Sequence, residues 1–337
     1  MGDGVFAVKV VVQPYRAPFW LPGGHLQTIY AAALMPLPAV SYHRERWDTP
    51  DGDFIDLDWV ENQDAGLRTE DAAKTPLVVL FHGLEGCSNS HYALALMREL
   101  RAQGWGGVVI HFRGCSGERN RLPRAYHSGD TAEVDWIMRR LRQQRPDAPL
   151  FAVGVSLGGN ALLKWLGEQE NAARALVTRA CAVSAPVDLM IAGDTLGRGF
   201  NLFYARHFLS SLKRKSAAML ASFPGLFDLQ RVLAARTLRE FDNVVTAPLH
   251  GFQDTDDYWT RASSKPLLAR ISVPTLMINA RNDPFLPQHA LPPPSEVSRH
   301  VTLEFPATGG HAGFVSGRFP GHLNWLPRRL LAFFSGT

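Results

Sequence analysis

Cysteine is scarce in this 337-residue chain. Its three cysteines, Cys87, Cys115 and Cys181, are an odd number without metal-ligand spacing, which argues against a disulfide framework and for a reducing compartment, the cytoplasm. Long apolar runs are missing too. No stretch approaches the ~18 residues that a spanning helix requires, so no integral membrane segment is expected. The opening Met1-Gly2-Asp3-Gly4-Val5-Phe6 lacks the basic-then-apolar profile of a secretory leader, and Phe6 stands where a myristoylation signal wants Ser or Thr. Nor is charge of one sign in surplus: 35 Lys and Arg against 31 Asp and Glu, spread along the chain, do not suggest a nucleic-acid partner. Two basic clusters, Arg139-Arg140-Leu141-Arg142 and Lys213-Arg214-Lys215, read as solvated helix faces; the second could alternatively favour anionic lipid surfaces or acyl-bearing substrates. The 12 histidines recur at no ligand spacing, so no metal is expected. Internal repeats and low-complexity segments are absent.

What is present is a large apolar fraction, 46%, enough for a sizeable core. Residues 44–49 and 54–60 alternate polar with apolar around the turn signal Pro50-Asp51-Gly52, which predicts an antiparallel hairpin. The runs at 76–81, 107–112, 150–155, 180–183 and 275–279 are continuously apolar, as strands buried on both faces should be. Helical patterns at 92–103, 129–144 and 160–168 lie between them, and a strand at 300–305 and a helix around 325–334 close the chain. The alternation predicts an α/β fold, a mostly parallel eight-stranded sheet with helices on both faces. It stops over residues 188–265, where amphipathic helical sequence reads as an inserted cap or lid between a core of 1–187 and 266–337. The aromatic, proline-rich opening, to about residue 38, reads as a segment clamped onto that core.

Chemistry concentrates at Gly154-Val155-Ser156-Leu157-Gly158-Gly159-Asn160, where an apolar strand breaks on a serine and resumes as a helix. A residue forced into so tight a turn needs neighbours without Cβ two positions to either side, and Gly154 and Gly158 supply them. Such an elbow lifts Ser156 above the carboxyl edge of the sheet and turns the Leu157 N–H toward a developing oxyanion. A serine needs a base and a group to orient it. Asp283 follows the strand at 275–279, His311 follows the last strand, and the order Ser, Asp, His is the α/β-hydrolase one. A second donor is expected from the His82-Gly83-Leu84-Glu85-Gly86 loop, at Leu84. Competing candidates are His25, which precedes the sheet, and Asp188, an alternative acid after an earlier strand. Glu85 lies ahead of a helix start and is expected as a cap or surface carboxylate, His82 and His111 as core or turn residues, and Cys87 and Cys115 sit at no elbow.

Five stretches carry a resemblance to a known family: Phe19-Trp20-Leu21-Pro22-Gly23-Gly24-His25-Leu26-Gln27-Thr28, the His82 loop, Phe112-Arg113-Gly114-Cys115-Ser116-Gly117, the Ser156 elbow, and Gly309-Gly310-His311-Ala312-Gly313-Phe314. Together they resemble the YheT-like branch of the α/β-hydrolases, the AB hydrolase 4 family, itself similar to abhydrolase-domain lipases and medium-chain ethyl ester synthases/esterases. A further run from Asp242 through Gly251-Phe252, Asp257-Tyr258 and Ser263 to Asn282-Asp283 fits that branch, with Trp259 where tyrosine is expected. The resemblance implies a cofactor-independent esterase or acylglycerol lipase acting on a small-molecule acyl ester, with Ser156, Asp283 and His311 as triad. Acyl transfer to an alcohol and a non-catalytic binding protein on the same fold remain the alternatives.

Overall fold

The computed structural model describes residues 12–60 and 74–336. Strands β1 (His43–Asp48) and β2 (Phe54–Val60) form the hairpin that the Pro50-Asp51-Gly52 turn predicts, with Asp48 opposite Phe54. Then come β3 (Leu77–Phe81), β4 (Gly106–His111), β5 (Leu150–Val155), β6 (Arg179–Val183), β7 (Thr275–Ile278) and β8 (Val301–Glu304). They make one eight-stranded sheet in the order β1-β2-β4-β3-β5-β6-β7-β8, and every pairing from β4 onward is parallel. Strands β3 and β5 are buried at every residue, which is why their sequences run apolar without alternation.

Successive side chains of these strands feed two cores. Leu77, Val79, Phe81 and Leu150 pack with Ile137 and Leu141 of α3 (Thr131–Gln144) and Leu162 and Trp165 of α4 (Leu157–Gln169). Val78, Leu80, Phe151 and Val153 pack on the opposite face with Leu96 and Leu100 of α2 (His91–Ala102) and Leu330 and Phe334 of α11 (Trp325–Ser335). Alternation along a strand and a 3.6-residue period along a helix thus bury both faces at once. Before the sheet, α1 (Gly24–Ile29) lies against the far end of the chain, where Tyr15 Oη donates to the Val315 carbonyl (2.8 Å) and Tyr30 Oη to that of Pro320 (2.9 Å). The first eleven residues of the expected clamp lie outside the described residues.

Between β6 and β7 the described chain is helical: α5 (Leu189–Leu196), α6 (Leu202–Ser222), α7 (Leu229–Ala234), α8 (Leu238–Val244), α9 (Thr246–Leu249) and α10 (Thr255–Ala262). Asp188, Asp228, Thr237 and Asp254 accept from the free N–H groups at the starts of α5, α7, α8 and α10. Leu209, Val232, Phe241 and Val245 give these helices a small core of their own. Asn160, fully buried on α4, fastens them to the sheet layer: its Nδ2 donates to the carbonyls of Ser128 and Ala262 (both 2.8 Å), and its Oδ1 accepts from Ser264 N–H (3.0 Å).

The basic clusters differ from the solvated faces expected. Arg140 stacks over Trp47 (4.2 Å to the ring centroid), and Arg142 donates to the Ala148 (2.8 Å) and Leu176 (3.0 Å) carbonyls beyond the end of α3. Lys213 donates to the Leu233 and Ala235 carbonyls (2.8 and 2.6 Å), leaving Arg214 as the exposed member of its trio. Long cationic side chains reach carbonyls that a helix end leaves without partners, a use that composition does not reveal.

Candidate active site

β5 ends at Val155, and the next residue, Ser156, adopts φ 53° before α4 begins at Leu157. That strained turn is possible only with glycine around it. A Cβ on Gly158 would overlap the Phe81 and His82 carbonyl oxygens, and one on Gly154 would overlap the Gly158 carbonyl. The Ser156 N–H donates to the Val183 carbonyl (2.8 Å), so the elbow is hydrogen-bonded to the adjacent strand.

Two loops at the same edge of the sheet converge on this serine. His311 Nε2 lies 2.9 Å from Ser156 Oγ, and its Nδ1 lies 2.8 Å from Asp283 Oδ2. Asp283 is buried, and its other oxygen accepts from Phe285 N–H (2.8 Å). The Phe285 ring packs against the imidazole, 4.2 Å between centroids. An acceptor at Nδ1 puts the ring proton there and leaves Nε2 free to accept from the hydroxyl.

The competing candidates stand elsewhere. His25 Nδ1 lies 3.1 Å from Tyr204 Oη on α6, and Asp188 caps α5, accepting from Ile191 N–H (3.2 Å). Burial pushes the Cys115 thiol up to about 12, which makes it a poor nucleophile. His111 Nε2 lies 2.8 Å from buried Asp58.

The loop after β3 brings a second backbone to the serine, since a Cβ on Gly83 would stand 3.1 Å from that of Ser156. Leu84 and Leu157 line one cavity with Ser156 and His311, and no other described residue accepts from either backbone N–H. His82, fully buried beneath the loop, pairs Nδ1 with the Gly83 carbonyl (2.7 Å) and accepts from Phe112 N–H at Nε2 (3.1 Å), contacts that need a neutral ring. Burial pushes its pKa down to about 3. Below pH ~6.5 the unfolded chain takes up a proton that this folded site refuses, so stability falls with pH on its account. The stability advantage of wild type over His82→Gln is therefore expected to shrink by about 1.4 kcal/mol per pH unit below pH ~6.5, as read by urea unfolding at several pH values.

Glu85 is a correction. It is neither cap nor surface group: α2 starts at His91, and the Glu85 carboxylate accepts from Tyr126 Oη (2.9 Å) and Lys215 Nζ (2.8 Å). A carboxylate this enclosed needs its cation, and Lys215 comes from α6, so an ion pair ties the inserted helices to the Leu84 loop.

The cavity, about 450 Å³, runs from Ser156 and His311 beneath α6, whose Phe208, Leu212 and Met219 form an apolar wall with Phe223 just beyond the helix. Phe203, on the same helix, is exposed, its ring against that of Phe200. Asp242 stands in the cavity wall, accepting from Trp259 Nε1 (2.9 Å) and Thr246 Oγ1 (2.6 Å), with burial pushing its carboxyl up to about 6. The tryptophan at position 259 thus supplies an N–H to Asp242. Sequence reading did not find the part played by Gln27, Thr28 and Asn282 in holding the histidine loop, although all three lie in stretches that fit the resemblance.

A strained serine at the end of β5, with histidine and aspartate brought to it from later strand ends of a mostly parallel sheet, is the α/β-hydrolase pattern. The chain belongs to that family, whose model, described as the alpha/beta hydrolase fold, matches residues 76–317. Within it the relatives place the chain in the YheT-like branch: it is 40% identical over 308 residues to the conjectured esterase YheT of Escherichia coli (strain K12), covering 91% of this chain and 88% of that protein. It is 30% identical over 321 residues to the human phospholipase ABHD3, covering 95% and 78%. Among solved structures, the esterase Pf2001 of Pyrococcus furiosus superposes with a TM-score of 0.55 at 14% identity, over 90% of this chain and 97% of that one. Est1E of Butyrivibrio proteoclasticus superposes at 0.53 and 13% identity, over 88% and 98%. At such identities these two structures speak for the fold alone. Among the described residues no helix is long and apolar enough to cross a membrane.

Proposed function

We propose that this esterase- and lipase-type hydrolase cleaves carboxylic esters of short- to medium-chain acyl groups, or monoacylglycerols, through an acyl-enzyme on Ser156. His311 Nε2 takes the Ser156 proton as Oγ attacks the ester carbonyl, and Asp283 holds the ring in the tautomer that can accept it. The Leu84 and Leu157 N–H groups receive the oxyanion. The tetrahedral intermediate collapses and His311 returns the proton to the departing alcohol; a water molecule, deprotonated by the same nitrogen, then attacks the acyl-enzyme, and His311 passes that proton to the departing Ser156 Oγ as the acid is released. The reading requires neither metal nor cofactor. It is carried by one observation, the relay from Asp283 through His311 to Ser156, at 2.8 and 2.9 Å, opening into an apolar cavity.

In this reading residues 188–265 are a lid on the core, and its α6 wall receives the acyl chain. Each buried methylene contributes about 0.8 kcal/mol, so kcat/KM for p-nitrophenyl esters should climb roughly three- to fourfold per added CH₂ until the cavity is full. Met219→Trp, which fills part of that space, should end the climb at a shorter chain and leave the shortest esters unaffected. An unchanged chain-length profile would put the acyl chain outside this cavity.

A further inference from the structure

The loop that carries His311 is held by side chains from other parts of the chain. Four successive amides each find a side-chain acceptor there: Gly309 N–H donates to Gln27 Oε1 (2.9 Å), Gly310 N–H to Asn282 Oδ1 (3.1 Å), His311 N–H to Thr28 Oγ1 (2.8 Å) and Ala312 N–H to Ser184 Oγ (3.0 Å). The acceptors are themselves fixed. Gln27 is 1% exposed; its Oε1 also accepts from Asn282 Nδ2 (3.0 Å), and its Nε2 donates to the Leu21 carbonyl (2.9 Å). Thr28 gives its own proton to the Gly24 carbonyl (2.8 Å), so its oxygen faces His311 as an acceptor. Gly24 lies so close to the Asn282 carbonyl that a Cβ would overlap it, which presses α1 directly onto the backbone beside Asp283.

We propose that Gln27 and Thr28 are positioning residues for the relay. Gln27 joins the loop of the acid to the loop of the base through one carboxamide, and Thr28 holds the main chain of His311 itself. The two ring hydrogen bonds orient the imidazole only if its Cα is already in place, and the bonds at residues 309–312 put it there, with Thr28 holding the amide of His311 itself. Both residues precede the stretch that the family model matches, 76–317, so the common hydrolase pattern does not include them. The inference rests on the assignment of His311 as the base.

The test is Thr28→Val, which keeps the branched shape and removes the acceptor. Labelling by a fluorophosphonate separates two quantities: final stoichiometry counts folded sites, whereas the labelling rate reports how well His311 activates Ser156. The expected result is unchanged stoichiometry, with labelling rate and kcat for a p-nitrophenyl ester both falling on the order of 10- to 100-fold, since a displacement near 1 Å costs about that much. Thr28→Ser should recover both to within threefold, and Gln27→Met should resemble Thr28→Val. Thr28→Ala gives the same reading should the valine variant not accumulate. Rates within twofold of wild type, or a loss carried entirely by stoichiometry, would overturn the proposal. Wild type that fails to label, or Ser156→Ala that still turns over, would instead remove the catalytic assignment on which it rests.

Discussion

Ser156→Ala is expected to lower kcat for ester hydrolysis on the order of 10⁶-fold, as loss of the nucleophile does in a serine triad, and to abolish labelling by a fluorophosphonate. The fold should survive, because the strain of φ 53° belongs to the backbone and alanine bears it as serine does. What disappears is one hydroxyl facing a cavity, whose hydrogen bond runs to His311 Nε2 (2.9 Å). The measurement is kcat on a p-nitrophenyl ester beside a thermal unfolding curve. Activity within tenfold of wild type, in a preparation free of other esterases, would falsify the assignment of Ser156.

Asp283→Asn should cost roughly 10⁴-fold in kcat, the penalty known for the wrong imidazole tautomer. Asparagine can keep one oxygen on the Phe285 N–H, where Asp283 now accepts at 2.8 Å, and then presents its NH₂ to His311 Nδ1. A donor at that position makes Nδ1 the acceptor and moves the ring proton to Nε2, the nitrogen that must take the Ser156 proton. Asp188→Asn keeps an oxygen for the Ile191 N–H and should leave kcat unchanged. If the two variants exchanged their effects, the acid would belong after β6 rather than after β7.

The sheet was legible because burial leaves a plain mark on sequence: β3 and β5 are apolar at every position, and all their residues are buried. The elbow was legible for a steric reason, since Gly154 and Gly158 stand where any Cβ would meet a carbonyl. Ser156, Asp283 and His311 could be placed at one sheet edge because each lies in the connection after the carboxyl end of a strand, and the structure sets them within hydrogen-bonding distance. Less legible were groups whose partners are remote in sequence. Glu85 reads as surface until Lys215 comes down on it from α6, and Arg142 reads as solvated until the carbonyls past α3 are seen beneath it. Gln27 and Thr28 have no distinguishing residue type at all. Their meaning lies in which amides they meet, and those amides belong to residues near the other end of the chain.

That separation bears on how the protein is born. Thr28 and His311 are 283 positions apart. At a synthesis rate of about 5–20 residues per second, roughly 15 to 60 s pass between the emergence of the first and that of the second. For about the second half of that interval, once residues 150–158 have been made, a nascent chain can pair β3 with β5 and form its serine elbow, yet it has no His311 for α1 to hold. Competence therefore waits for the synthesis of His311, 283 positions after the threonine that holds its main chain.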